Sequence, residues 1–364
     1  MAMKLRRKEP SRVQFETLTK ENATQKREQV METLDLNNTT LSQLFERSKL
    51  IEDECFDYTV VEATDKNVMF NDMAGLSYTV TDTGEVRHSP MSRWALSQLG
   101  TKIGVPSRYL EKCIASGRID LAKDNVNSWL ADYNKDLFIR EYRGSIRGIL
   151  SNRYSVCDSS EILSAVDGAV DLSKYKIKGS YLSPERLHVR LIGKEMLPVE
   201  GEDLFPGIFI DSSDVGRNVL VVQFGIWKQV CTNGLCISKA GGVLFSQKHI
   251  GITPEEFYEG LNASLKNIDP LTENAVQWVE FAKDKRVKGL SKSNTSDEIE
   301  EFINRLKLSA KLPEDKATKV FDLMSAKYDH SQWGLINALT EVAQDFTLDK
   351  RIEIENYAGN LLVA

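Results

Sequence analysis

Apolar and polar positions alternate with two different periods along this chain, and the switches between them divide it. Residues 14–51 read as two helices. The second is capped at Thr39 or Thr40 and carries Leu41, Leu44, Phe45 and Leu50 on one face. Residues 54–88 change to period two in CFDYTVVEA and GLSYTVTD, rich in Val, Thr and Tyr as strands are. A helical block follows. Ser89 and Pro90 supply a start signal, Gly100 and Gly104 interrupt, Pro106 restarts, and a third helix is predicted over 119–132. From 136 to about 250 the period returns to two, with LFIREYR and IRGILS as a hairpin turned at Gly144-Ser145 and one helix over 158–170. From Thr253, where Thr-Pro-Glu-Glu forms a capping box, the chain is helical again, with segments at 269–288, 296–309, 313–327 and 332–357.

This order predicts an α+β fold: a central, mainly antiparallel sheet with helices before it and a C-terminal helical layer. Three regions are expected. Residues 1–53 form a basic arm with helices, 54–252 a central α+β domain, and 253–364 a helical subdomain.

Charge is unevenly spread. Residues 51–90 hold only Lys66 and Arg87 against nine acids, whereas 91–153 hold eleven Lys and Arg against six acids. The basic block contains two arrangements suited to nucleic acid. RWALSQLGTKIGVPSRYL has the shape of a helix-turn-helix, with Ser107, Arg108, Glu111 and Lys112 facing outward from its second helix. The competing reading is a helical hairpin packed on the sheet. REYRGSIRGILSNRY sets Arg140, Arg143, Arg147 and Arg153 among Tyr142 and Tyr154, which suits phosphate contact and base stacking on a single strand. The competing reading there is a polar sheet face. Alternation puts Arg143 and Arg147 on one face and Arg140 on the other unless a bulge intervenes.

A second candidate region is DSSDVGRN followed by QVCTNGLC. Asp211, Ser212, Asp214 and Asn218 lack the spacing and the closing Glu of a calcium loop, and Cys231 with Asn233 lacks the signature of a thiol enzyme. The catalytic residues are therefore unassigned. Five cysteines with no C-x-x-C pair point to reduced thiols, with Cys231 and Cys236 both free of metal. No cofactor and no metal are expected. No apolar run is long enough to span a membrane, and no apolar stretch follows the basic N-terminus, so a cytoplasmic location is expected, in a bacterial host.

FPGIFIDSSDVGRNVLVVQFGIWKQVCTNGLC resembles the Asn-Ser and Cys-Thr-Asn-Gly signature of the domain-of-unknown-function 932 family, although Asp211-Ser212 stands where that family commonly has Asn-Ser. LSQLGTKIGVPSRYL, RGILSNRYSVCDSSEIL and WGLINALTEVAQ agree in the same order. The resemblance implies a phage- or plasmid-like accessory protein. Such proteins act in DNA replication, recombination or evasion of host defence. The leading expectation is a non-enzymatic binder or annealer of single-stranded nucleic acid, acting as a homo-oligomer. The rivals are a factor that engages a host defence protein, and an enzyme that uses Cys231 or the 211–218 loop.

Overall fold

The computed structural model describes residues 39–228, 233–237, 242–251, 253–265, 268–290 and 294–363. Helix α1 (Leu41–Glu52) opens it, with Thr40 and Gln43 closing a capping box. Strands β1 (Cys55–Ala63), β2 (Val68–Phe70), β3 (Gly75–Thr79) and β4 (Val86–Pro90) follow. Three helices come next: α2 (Arg93–Ile103), α3 (Ser107–Ala115) and α4 (Ile119–Leu130). The hairpin β5 (Lys135–Tyr142) and β6 (Ser145–Leu150) leads to α5 (Ser159–Ala169). Strands β7 (Tyr175–Ile177), β8 (Tyr181–Ser183), β9 (Arg186–Gly193), β10 (Leu204–Ser212), β11 (Leu220–Lys228), β12 (Asn233–Cys236) and β13 (Val243–Gln247) precede the helical end. That end comprises α6 (Pro254–Leu265), α7 (Ile268–Asp284), α8 (Ser296–Ser309), α9 (Glu314–Ala326), α10 (Gln332–Ala343) and α11 (Leu348–Leu362).

The fold is α+β, and every pairing between these strands is antiparallel. Where one sheet was expected, the described residues build three. One runs β1-β5-β6 and one β2-β3-β4. The third has seven strands in the order β12-β11-β10-β9-β7, with β13 also on β11 and β8 also on β9. The β5–β6 hairpin therefore leaves the large sheet and pairs with β1, Cys55 opposite Tyr142 and Val60 opposite Leu137. Its turn is Arg143-Gly144, one residue earlier than expected. Both residues have positive φ (51° and 75°), as the right-handed twist of a two-residue hairpin demands.

Two hydrophobic cores result. The first gathers Val60, Phe70, Leu76, Leu99, Leu110, Val126, Leu137 and Ile149 between the two small sheets and α2–α4. The second joins α1 and α5, the large sheet and the C-terminal helices. The expected boundary at 252/253 is not a packing boundary, because the C-terminal helices share the core of the sheet. Gly359 of α11 lies so close to β12 that a Cβ there would stand 1.9 Å from the Cys236 carbonyl oxygen.

Two element boundaries also differ. Ser89 and Pro90 end β4 instead of starting a helix. The cap is Ser92, whose hydroxyl accepts from the Ala95 amide. The single helix expected over 332–357 is two, divided before Thr347, the residue that precedes α11. The expected helix before Thr39 lies outside the described residues.

Candidate functional site

The β5–β6 hairpin carries a bulge. Arg140 pairs with Gly148 but Glu141 pairs with Ile146, which leaves Arg147 as the extra residue. The bulge brings Arg140 and Arg147 onto one carboxylate, Asp214 from the β10–β11 loop. Arg140 is 2% exposed. Its guanidinium donates to Asp57 at 2.8 Å, to Asp158 at 2.9 Å and to the Asp214 carbonyl at 2.8 Å. Burial alone would lower its pKa, but Asp57, Asp158 and Asp214 outweigh that and hold it protonated. Arg147 donates to both Asp214 carboxylate oxygens, at 2.7 and 2.8 Å, and to the Pro184 carbonyl.

The four-arginine groove read from the sequence is therefore not assembled. Arg140 and Arg147 are buried and already matched by three aspartates. Arg143 pairs with Glu54 and lies over the Tyr142 ring at 5.3 Å. Arg153 alone of the four is exposed without an ion pair among the described residues. Tyr154 is buried, stacked on His249 at 5.4 Å, with its hydroxyl donating to the Ser213 carbonyl at 2.9 Å. It has no open face for a base.

The 211–218 loop forms the other side of this polar seam. Asp211 accepts from the Arg186 guanidinium, and His188 stands 4.0 Å away. The Ser213 hydroxyl donates to the Glu185 carbonyl at 2.7 Å and receives the Val215 and Arg217 amides. The Val215 carbonyl accepts from Trp94 Nε1 at 2.9 Å and from Gln98 Nε2 at 2.8 Å, which docks α2 on the loop. Asn218 is half-buried, and its side-chain amide donates to the Val219 carbonyl. Guanidinium groups take up the two carboxylates, and the described residues hold no cluster of three or more metal-ligating side chains.

Ser212 Oγ and His249 Nε2 are 3.4 Å apart, a spacing that invites comparison with a nucleophile and its base. Both are buried, at 1% and 6% exposure, so a substrate has no route to the hydroxyl in this conformation. Cys231 lies outside the described residues. Asn233 sits in β12 opposite Lys228.

Gly234 of the Cys-Thr-Asn-Gly stretch has a structural role. A Cβ there would stand 3.1 Å from Arg190 Nη1, and its amide hydrogen-bonds the Glu355 carboxylate. Arg190 and Glu355 form a fully buried ion pair at 2.6 Å, with the guanidinium against Phe209 and Trp227. Burial, then the neighbouring Glu355 charge, pushes the Cys236 thiol well up, so it stays protonated and inert.

The segment read as a helix-turn-helix or a helical hairpin forms α2, a tight turn and α3. Helix α2 ends at Gly104 in the left-handed conformation (φ 77°), and the Val105 amide closes on the Gly100 carbonyl at 2.8 Å. A Cβ on Gly100 would stand 2.5 Å from the Val105 carbonyl, so the close turn requires glycine. Leu99, Gly100, Ile103, Val105, Leu110 and Cys113 are buried, while Arg108 and Lys112, four residues apart on α3, are exposed. Neither forms an ion pair among the described residues. Arg93 is spent on Glu111, at 2.7 Å. The sequence reading missed Arg118, exposed between α3 and α4, which the excess of five cations over one acid in residues 92–118 would have flagged. It also missed Asp57 and Asp158, which no local pattern connects to Arg140.

No curated protein and no solved structure matches the chain. A family model described as "Domain of unknown function (DUF932)" matches residues 147–358. That span includes the 211–218 loop, the Cys-Thr-Asn-Gly stretch and the buried Arg190–Glu355 pair. It begins after α2 and α3, so LSQLGTKIGVPSRYL lies outside the match. With well over half of its length matched, the chain belongs to the domain-of-unknown-function 932 family.

Proposed function

We propose that this protein binds nucleic acid as an accessory protein of a mobile genetic element, and that the contact is made by α3 on duplex DNA. One observation carries the reading. The apolar positions of a helix-turn-helix are buried, while the second helix leaves Arg108 and Lys112 in solvent with no ion pair to either among the described residues. A helix about as wide as the major groove, with cations on its outer face, is suited to phosphate and base-edge contact. Single-strand binding by the β5–β6 hairpin is the weaker form of the idea, because Arg140 and Arg147 are enclosed and Tyr154 is covered.

The test is a fluorescence-anisotropy titration of duplex and single-stranded oligonucleotides at several salt concentrations. Each phosphate contact contributes about −0.9 to the slope of log K against log salt on a duplex. Replacing Arg108 and Lys112 together by Ala is expected to flatten the slope by about 1.8 if both touch phosphate, with the fold unchanged. Absence of binding at low salt, or a slope unaltered by the replacements, overturns the proposal. Engagement of a host protein then becomes the leading reading.

A further inference from the structure

Away from the seam, a cleft of about 790 Å³ opens between the start of α1, helix α5 and the edge strand β7. Phe45, Leu163, Leu172 and Leu191 are among the apolar side chains that line it. Lys176, Lys178 and Lys194 also line it, against a single carboxylate, Asp167. The nearby Asp171 accepts from the Ser173 hydroxyl at 2.6 Å and the Ser173 amide at 3.1 Å, and those bonds, with the Lys174 and Lys194 charges, hold its pKa down, so it offsets part of the lysine charge. The first turn of α1, which faces the cleft, contains no acidic residue, so the positive end of the helix dipole adds to the lysines.

The volume lies in the range of small-molecule sites, which combine apolar walls with a few polar groups that fix orientation. Here the apolar walls are mostly aliphatic, and among the hydroxyls of Thr39, Thr40, Ser42 and Ser164 the charged groups are three lysines and one carboxylate. Lys176 and Lys194 are exposed and form no ion pair among the described residues; the Lys194 ammonium reaches only the Ser173 carbonyl. A neutral ligand would leave these charges unused, and a compact inorganic anion would leave the aliphatic walls wet.

We propose that this cleft binds a small amphipathic anion, an alkyl chain ending in a carboxylate or a phosphate. The chain lies along the Phe45, Leu163, Leu172 and Leu191 walls, and the head group meets Lys176 and Lys194. The assignment does not rest on the nucleic-acid reading and stands or falls apart from it.

Isothermal titration of the full chain with decanoate, decyl phosphate and 1-decanol, each below its aggregation limit, tests it. At least one of the two anions is expected to bind at one equivalent, and whichever binds more tightly identifies the head group. Lys176→Ala with Lys194→Ala should weaken that anion about tenfold, a shift consistent with losing two partly screened charge contacts, while leaving the thermal midpoint unchanged. Leu172→Trp, which fills a half-buried wall position, should weaken both anions. Decanol binding as tightly as the anions, affinity unmoved by the lysine replacements, or no anion binding at all each overturns the proposal.

Discussion

Arg140 stands at the meeting point of three carboxylates from three separate segments: Asp57 on β1, Asp158 at the start of α5, and Asp214 in the β10–β11 loop. Removing the guanidinium leaves those charges facing one another in a buried place. Arg140→Ala is therefore expected to cost about 3–5 kcal/mol, against under about 0.5 kcal/mol for Arg108→Ala at the surface, both read from urea denaturation. A second residue-scale effect concerns pH. Burial, with the Arg190, Arg186 and Arg351 charges, holds His188 well below the ordinary histidine value, and burial lowers His249 as well. Folding thus favours the neutral form of both imidazoles, His188 most strongly, and both protonate near pH 6.5 when the chain unfolds. Below that pH the unfolded state binds more protons, so stability falls with decreasing pH, by up to about 1.4 kcal/mol per pH unit for each histidine. Denaturation at about pH 7.5 and pH 5.5 should show a shallower pH dependence for His188→Gln than for wild type. An equal dependence in the two proteins would mean that His188 is not a source of it.

At the scale of elements, glycines divide into those that permit a contact and those that do not. Gly100 lets α2 turn into α3, and Gly359 lets α11 lie on β12, where an added Cβ would meet backbone oxygen at 2.5 and 1.9 Å. Alanine at either position should destabilise by about 1–3 kcal/mol, with Gly359 the more severe because neither backbone can yield easily. Gly168, inside α5 with nothing within 4 Å, is the contrast. Gly168→Ala, in the last turn of that helix, should stabilise by up to about 0.5 kcal/mol, because a helical position favours alanine over glycine. These elements were legible where their signals are local. The Thr40 capping box, the Gly104 helix end, the Pro106 restart and the α8 start at Thr295 all follow from residues within one turn. Pairing was not legible. Strand β1 joins β5 some 80 positions later, as in Asp57 opposite Arg140, and nothing in either stretch announces the other. The bulge at Arg147 was equally hidden, and it decides whether two arginines face solvent or the interior. The signature loop was found by its composition, but its role depended on Trp94, Gln98 and Arg147, which reach it from far along the chain.

At the scale of the whole molecule, two apolar cores meet across a seam that holds a cluster of buried charges. Arg140 and Arg147 come from the first unit and Asp158 and Asp214 from the second. Trp94 and Gln98 of α2 hold the Val215 carbonyl, and Tyr154 holds that of Ser213. Apolar packing stabilises each core internally and also joins the units where Cys55 and Tyr142 pack on the second core, and the charged seam adds to that coupling. Charge-assisted hydrogen bonds in a low-dielectric setting are strong enough to couple two such units, and their geometry makes the coupling specific. Wild-type protein is accordingly expected to unfold in one calorimetric transition. Asp214→Asn keeps the shape of the side chain but removes the charge shared by Arg140 and Arg147. Trp94→Phe removes one of the two donors to Val215. Combined, these changes leave both cores intact and weaken the seam, so the transition should split. The smaller unit, residues 54–150, is expected to melt first. The unit built on the seven-stranded sheet should keep its midpoint within a few degrees, since Arg190–Glu355 and the packing of α10 and α11 lie wholly inside it. A single transition that moves down as a whole would show that coupling resides in apolar contacts between the units and not in the ionic seam.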